Sequence, residues 1–325
     1  MGSAWALYDQ LLEQATLAAG EGRVAEVTIG PVWTVVRTDD GGMGLAMSPS
    51  VATRTLPWSG SLRGRPLSEL ITWVKSWNFH EAAVGMAALN ASLGIPMAWA
   101  REATPLMTPG SANLAVFDHF KRHLTHKKVV VVGRYPGLDR LIEEGNWQVL
   151  ERDPEQGDLP DSACEYLLPE ADWAFITASA LTNKTLPRLL ELSRHAVTVL
   201  MGPSLPWWTE WSRFGVDFLA GVRIAHEDAV LHTAAEGGGV RIFEAGARYH
   251  LLDVGLENMA ILKGDIADKH SRRDTLKAEM EQWYEQGKKG RFTRWYELQR
   301  LDGELAELDQ RYRRQWDARN LTEPF

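Results

Sequence analysis

Polar side chains able to bind an ion or a small ligand follow three apolar stretches in the middle of the chain. Glu151 closes the first stretch, which begins at Trp147. Residues 177–185 follow the second and supply hydroxyl groups, an amide and a lysine, and Gly202-Pro203-Ser204 follows the third. Open α/β sheets bind their ligands at the carboxyl ends of the strands. The pattern therefore predicts where a ligand binds but does not identify it.

Each of these polar segments also has a purely structural interpretation. The start of a helix offers free N–H groups and the positive end of a dipole, which suits an anion. Thr182, Asn183 or Thr185 could instead cap the helix that follows. Ser204 could cap a helix beginning at Pro206. Capping and ligand binding both remain open at this stage.

The loop Gly133-Arg134-Tyr135-Pro136-Gly137-Leu138 follows a run of four valines, where a dinucleotide-binding loop would lie. Tyr135 stands where such a loop has its second glycine, and Pro136 removes an N–H donor. The sequence therefore favours a tight turn over conventional NAD binding. Glu151, at the end of the next apolar stretch, could still hold a ribose hydroxyl. It could equally be a surface charge or a metal ligand.

Histidine and carboxylate residues offer a second kind of site. His119, His123 and His126 have the i, i+4, i+7 spacing of one helix face, so a two-histidine metal site competes with a solvated surface. Asp228, in a predicted loop with His226, is a further candidate carboxylate. No nucleophile elbow and no phosphate-binding P-loop motif is found.

The elements that must position these residues fall into three predicted parts: residues 1–110, 111–254 and 255–325. The first part has an α+β order of one helix, three strands and two further helices. These are predicted at Ala6–Ala19, Val24–Ile29, Val32–Arg37, Met43–Met47, Pro66–Trp77 and Glu81–Leu93.

The second part alternates strand and helix patterns, which predicts an α/β fold with a parallel sheet. The valine run 129–132 is typical of a buried parallel strand. After the turn Gly237-Gly238-Gly239, a short strand is predicted over Val240–Phe243.

In the third part the sequence predicts an antiparallel pair of helices, over Met259–Gln286 and Phe292–Asn320. Apolar residues of the second helix recur at alternating steps of three and four, as in a coiled-coil seam. The hairpin could pack within its own chain, form a homodimer or bind a protein partner.

Composition bounds the class of protein. With 325 residues and one cysteine, Cys164, the chain has no internal disulfide and no cysteine-based zinc site. A net charge of −8 argues against a nucleic-acid partner. The sequence contains no run of about 18 apolar residues, so no membrane helix is predicted. The first residues do not resemble a signal peptide, so a cytoplasmic location is expected.

Several segments of residues 129–243 resemble the C-terminal domain of the putative heavy-metal-chelation family. The resembling segments are Glu151-Arg152-Asp153-Pro154, Gly157-Asp158-Leu159-Pro160, Leu168-Pro169-Glu170-Ala171-Asp172, Leu181-Thr182-Asn183-Lys184-Thr185-Leu186, Gly202-Pro203-Ser204, and Gly215-Val216-Asp217 with Leu219-Ala220-Gly221. Gly30-Pro31, Thr34, Gly44-Leu45-Ala46 and Ala88-Leu89-Asn90 resemble its N-terminal partner domain. The chain departs from the pattern at Ala178, where a glycine is expected, and at Trp207-Trp208.

The resemblance implies an N-terminal domain similar to that of enolase, a Rossmann-like domain and a ligand cleft between them. The residues that it implies for this cleft are Asn90, Glu151, Thr177, Ser179, Asn183, Gly202, Ser204 and Asp228. Lys184, in the same loop as Asn183, is a further candidate for ligand binding. Its ligand would be a divalent or heavy metal ion of unknown identity, or an anionic metal complex.

Three hypotheses therefore remain open. The first is metal binding in the cleft, with Glu151 and Asp228 as oxygen ligands. The second is an enzyme that uses a nucleotide or S-adenosyl-type molecule, with Glu151 on a ribose. The third is a scaffold that acts through the C-terminal hairpin.

Overall fold

A computed structural model describes residues 4–52, 54–94, 102–155 and 157–320. The chain forms two compact units, and the boundary between them in the sequence lies between Val254 and Gly255. No helix within the described ranges is long and apolar enough to cross a membrane.

The first unit opens with α1 (Trp5–Ala19), which buries Leu7, Leu11 and Ala15 on one face. An antiparallel three-stranded sheet follows, in the order β1-β2-β3. Its strands are β1 (Val24–Ile29), β2 (Trp33–Thr38) and β3 (Met43–Met47). Two α-helices and an intervening 3₁₀ helix complete this region: α2 (Leu67–Ile71), the 3₁₀ helix Thr72–Lys75, and α3 (Phe79–Leu93).

Close contact between β3 and α3 depends on Gly44. A Cβ atom at this position would lie 2.1 Å from the carbonyl oxygen of Ala87. Only glycine allows the strand and helix backbones to approach so closely.

The described residues also form an eight-stranded sheet in the order β4-β11-β10-β9-β8-β5-β6-β7. Neighbours from β10 to β7 are parallel, and β11 is antiparallel to both β10 and β4. The strands are β4 (Thr104–Pro105), β5 (Val129–Val132), β6 (Trp147–Glu151), β7 (Leu159–Pro160), β8 (Trp173–Thr177), β9 (Val197–Met201), β10 (Phe218–Ile224) and β11 (Ala247–Asp253).

Helices connect these strands. The α-helices are α4 (Ala115–Phe120), α5 (Asp139–Glu144), α6 (Cys164–Leu167), α7 (Leu186–Leu192), α8 (Glu227–Ala235) and α9 (Ile242–Ala245). The 3₁₀ helices are Ala112–Leu114, Lys121–Leu124, Asp161–Ala163, Leu168–Glu170, Ala178–Leu181 and Thr209–Phe214. This mixed α/β architecture confirms the predicted fold class.

The second unit is a pair of helices, α10 (Leu256–Glu285) and α11 (Trp295–Asp317). Leu276 of α10 is buried against Leu298 and Leu301 of α11. The two helices predicted after residue 255 are confirmed.

Three local predictions were wrong. Val240–Phe243 is not a strand, because Ile242–Ala245 forms one helical turn and the strand begins at Ala247. The predicted loop around Asp228 is instead the start of α8. The predicted histidine face is broken at His126, whose φ of 61° lies outside the helical region.

Candidate functional site

The order of the strands reverses between β5 and β8. From β5 the chain continues to β6 on one side, and it later returns to β8 on the other side. Val132, the last residue of β5, is the register partner of Ile176, the last but one residue of β8, so the two following loops leave from adjacent points. Such reversal points form the crevice in which open α/β sheets bind ligands.

Gly133 brings the loop after β5 against the end of β8. Its φ is +94°, and a Cβ atom there would lie 2.8 Å from Cγ2 of Thr177. Glycine is required at this position both by the backbone conformation and by the close approach.

The hydroxyl group of Tyr135, two residues further on, is buried and has no hydrogen-bond partner of normal geometry among the described residues. Burial raises the pKa of this hydroxyl strongly, and the nearby Glu151 carboxylate raises it further. A weak hydrogen bond with the Thr177 side chain, outside normal geometry, opposes both effects only in part. Tyr135 is therefore a neutral phenol at physiological pH and can donate a hydrogen bond.

Gly202, after β9, faces the same point. Its φ is +115°, and a Cβ atom there would lie 3.6 Å from Oη of Tyr135 and 3.8 Å from Oγ1 of Thr177. Oγ1 of Thr177 lies 3.0 Å from Oγ of Ser179. We call Tyr135, Thr177, Ser179 and Gly202 the strand-end site, because the ends of β5, β8 and β9 bring them together.

Tyr249 of β11 interacts electrostatically with Tyr135 of this site. Burial raises the pKa of its hydroxyl, and so does its interaction with Tyr135. Two protonated phenols therefore lie near the carboxyl edge of the parallel strands.

Glu151 orders the loop that carries Tyr135. Its Oε2 accepts the backbone N–H of Arg134 at 2.8 Å, and its Oε1 accepts the N–H of Arg152 at 2.8 Å. The Arg134 side chain pairs with Asp158 and Asp139. Burial lowers the pKa of Arg134, but these two carboxylates outweigh that effect and raise it. Both oxygens of Glu151 thus already accept hydrogen bonds from the protein.

Asp228 lies elsewhere. Its carboxylate pairs with Arg37 at 3.0 Å, and its side chain is 78% exposed. It belongs to the helix after β10, four strand positions from the β6 strand of Glu151, which corresponds to about 19 Å at the usual strand spacing. The structure does not bring these two predicted metal ligands together. Throughout the described ranges, no three His, Cys, Asp or Glu side chains are grouped to hold an ion.

Asn183 and Lys184 stabilise the loop after β8. Oδ1 of Asn183 accepts the N–H of Thr185 at 3.1 Å, close to the start of α7. Nζ of Lys184 donates to the carbonyl oxygens of Ser76 and Thr182 and lies 5.8 Å from the Trp77 ring. Burial lowers the pKa of Lys184 to about 8. Both side chains hold the loop in place.

Asn90 and Ser204 join the first sheet to the second. Nδ2 of Asn90 donates to the carbonyl oxygens of Leu45 and Ser204, at 2.7 and 3.1 Å. Oγ of Ser204 accepts the N–H of Met47 at 2.9 Å, and no helix begins at Pro206 in the described residues, so the capping alternative is excluded. Oδ1 of Asn90 is buried and has no partner among the described residues.

A cavity of about 190 Å³ adjoins Asn90. Its apolar wall is formed by residues such as Leu45, Leu205 and Trp207, and its charged side chains are Arg223 and Glu227. Helix α3 ends near this cavity, and at its start the Phe79 ring lies 5.7 Å from the guanidinium of Arg152. The helix therefore spans the carboxyl edge of the sheet.

Comparisons with known proteins agree with this architecture. Two family models, both described as putative heavy-metal chelation, match residues 8–93 and 115–253. A solved structure of a DUF364-family protein of unknown function, from Desulfitobacterium hafniense, is 33% identical with a TM-score of 0.67. The alignment covers 77% of this chain and 98% of that one. The chain belongs to this family, whose description is putative heavy-metal chelation.

Two more distant relatives add less. A DUF364-family structure from Pyrococcus horikoshii is 24% identical, with a TM-score of 0.61, and the alignment covers 76% of this chain and all of that one. It supports the fold alone. An uncharacterized protein from Methanocaldococcus jannaschii is 27% identical over 136 residues, which are 39% of this chain and about half (52%) of the relative.

The structure brings together only some of the residues that the family resemblance implied for the site. Thr177, Ser179 and Gly202 come together, whereas Asp228 lies apart from them. Tyr135 was interpreted only as an interruption of the glycine pattern, although its position after a strand was a usable signal. Tyr249 carried no signal, because its strand was not predicted.

Proposed function

We propose that this protein binds a metal ion held in a small anionic complex, with the strand-end site contacting the oxygen atoms of that complex. The observation that carries the proposal is the buried hydroxyl of Tyr135, at the point where the strand order reverses, which has no partner of normal geometry in the described part of the chain.

An unpartnered buried hydroxyl is unusual. At least about 90% of buried polar groups in proteins have a hydrogen-bond partner, and leaving one unpaired costs about 1–3 kcal/mol. An oxygen of a bound ligand would accept the Tyr135 hydroxyl and remove this cost. The raised pKa keeps the phenol protonated, so it acts as a donor to an anion rather than as a phenolate ligand.

The groups of the strand-end site suit a complex better than a bare ion. Tyr135, Thr177 and Ser179 are neutral hydroxyls, which donate hydrogen bonds to carboxylate or phosphate oxygens. Both oxygens of Glu151 accept backbone N–H groups. A chelating molecule would supply most of the ligands of the metal, in keeping with the family description.

In this proposal the complex enters between residues 1–110 and the sheet of residues 111–254. Contacts between these regions lie on both sides of the strand-end site. Lys184 reaches Ser76 on one side, and Asn90 reaches Ser204 on the other. These contacts would keep the walls of the cleft at a fixed separation.

The experiment is a thermal-shift panel on tag-free, metal-stripped protein. It compares Cu²⁺, citrate, the copper–citrate complex, ATP and S-adenosylmethionine. A ligand at about 100 times its dissociation constant adds about 2.7 kcal/mol of stability, which raises Tm by a few degrees. We expect the complex to give a larger shift than the ion or citrate alone. A shift with only ATP or S-adenosylmethionine would reject the proposal in favour of a nucleotide-type ligand.

A further inference from the structure

His80, in the first turn of α3, is a second unusual residue at the carboxyl edge of the sheet. The residue is 8% exposed, and neither ring nitrogen has a hydrogen-bond partner among the described residues. The neutral form of imidazole has one donor and one acceptor nitrogen, and both are strong polar groups. Burying both without a partner is costly, so a bound group is expected to satisfy at least one of them.

Two contacts fix the first turn of α3 on the sheet. On one side, the Phe79 ring lies 5.7 Å from the guanidinium of Arg152. Arg152 follows Glu151, whose carboxylate accepts the N–H of Arg134, the residue before Tyr135. These contacts connect Phe79, the neighbour of His80 in the chain, through Arg152 and Glu151 to the loop that carries Tyr135.

On the other side, Lys184 joins the segment before α3 to the loop after β8. One ammonium group donates both to the carbonyl of Ser76 and to the carbonyl of Thr182. The Thr182 side chain is also unusual, because the residue is 6% exposed and its hydroxyl has no partner among the described residues. Two buried, unsatisfied polar side chains therefore flank this one contact.

We infer that His80 supplies a nitrogen ligand to the metal of the bound complex, while the strand-end site holds the oxygen atoms of its chelator. This inference rests on the proposed function. A neutral imidazole is a strong ligand for Cu²⁺, Ni²⁺ and Zn²⁺. One protein nitrogen is sufficient when a chelator already fills the other positions. The inferred ligand is thus a complex of such a metal with at least one coordination position open or occupied by water.

The test is electron paramagnetic resonance of tag-free protein with copper–nitrilotriacetate, a complex that leaves a position open for an imidazole. Wild-type protein should show nitrogen coupling from one bound imidazole. His80→Gln should lose this coupling and bind the complex about tenfold more weakly. His232→Gln is the matched control, because His232 is exposed on α8 and its loss should change neither the spectrum nor the affinity.

Tyr135→Phe separates this inference from the proposed function. If Tyr135→Phe weakens binding while His80→Gln keeps both the coupling and the affinity, the His80 assignment is wrong and the proposed function stands. If His80→Gln alone has an effect, His80 is a ligand but the strand-end site does not hold the chelator. No binding of the complex to wild-type protein would reject both.

A second measurement avoids any substitution at His80, in case His80→Gln does not fold. Labelling the wild-type protein with ¹⁵N-histidine should change the nitrogen coupling in the pulsed spectrum of the bound copper, compared with the spectrum of unlabelled protein. An unchanged pulsed spectrum would mean that no histidine binds the metal, which would overturn the inference.

Discussion

Asn90 donates a hydrogen bond of 3.1 Å from its side-chain amide to the backbone oxygen of Ser204. The same residue of α3 also holds Leu45 of β3, so the loop after β9 is fixed against both elements. Resemblance to the family implied that Asn90 and Ser204 contact the ligand. In the structure their hydrogen bonds join the two sheets at the edge of the proposed cleft.

Ser204→Ala should lower stability more than it lowers affinity. The substitution leaves the N–H of Met47 without its acceptor and removes a hydrogen bond that contributes about 0.5–1.5 kcal/mol. We expect Tm to fall by a few degrees and the affinity for copper–citrate to change less than about threefold. Ser162→Ala, at an exposed serine, is the control and should leave Tm unchanged. A large loss of affinity without a loss of stability would assign Ser204 to the ligand.

Tyr135→Phe should have the opposite profile. The unliganded protein should be as stable as the wild type or slightly more stable, because the described residues give the lost hydroxyl no partner of normal geometry. Affinity for copper–citrate should fall about tenfold, equivalent to roughly 1.4 kcal/mol of a lost hydrogen bond. Urea unfolding and calorimetry measure the two quantities. Tyr166→Phe, at a tyrosine that is 79% exposed, should change neither.

Gly202→Ala should weaken binding beyond its effect on folding. The φ of +115° penalises any side chain, and the new methyl group would lie 3.6 Å from Oη of Tyr135. Gly215→Ala is a matched control, because its φ is +85° and nothing lies within 4 Å of the added Cβ. Both variants should lose stability, by about 1–2 kcal/mol. Only Gly202→Ala should lose affinity at a temperature where both remain folded.

Lys184 should make stability depend on alkaline pH. Its pKa is about 8 in the folded protein against an ordinary value of 10.5, and burial is the cause. Between these values the unfolded chain binds more protons than the folded one, so the free energy of unfolding rises with pH. Relative to Lys184→Met, wild-type protein should therefore become more stable as pH rises from 8 towards 10. Urea unfolding at several pH values measures this difference, and a difference that stays constant would contradict the lowered pKa.

Local sequence patterns were sufficient to predict much of the fold. Val24–Ile29 and Met43–Met47 were predicted with their observed bounds, because alternating or apolar runs flanked by turn residues are strong strand signals. Val240–Phe243 failed because a short apolar run does not distinguish a strand from one turn of helix. The actual strand begins after Gly246, whose φ is +132°.

The candidate site was harder to predict, because its geometry depends on strand pairing. Glu151 accepts the N–H of Arg134 only because β5 and β6 are neighbours in register. Tyr249 interacts electrostatically with Tyr135 because β11 runs antiparallel to β10, a pairing with no sequence motif. The polar residues after each strand indicated the correct edge of the sheet, but not which of them remain unpaired.

The most direct test of the proposed function is a calorimetric titration of the copper–citrate complex into metal-stripped wild-type protein and into Tyr135→Phe, with citrate alone and Cu²⁺ alone as references. We predict one saturable site for the complex on the wild type, with affinity about tenfold lower for Tyr135→Phe and unchanged for Tyr166→Phe. Equal affinity of wild type and Tyr135→Phe, or tighter binding of free Cu²⁺ than of the complex, would contradict the proposal.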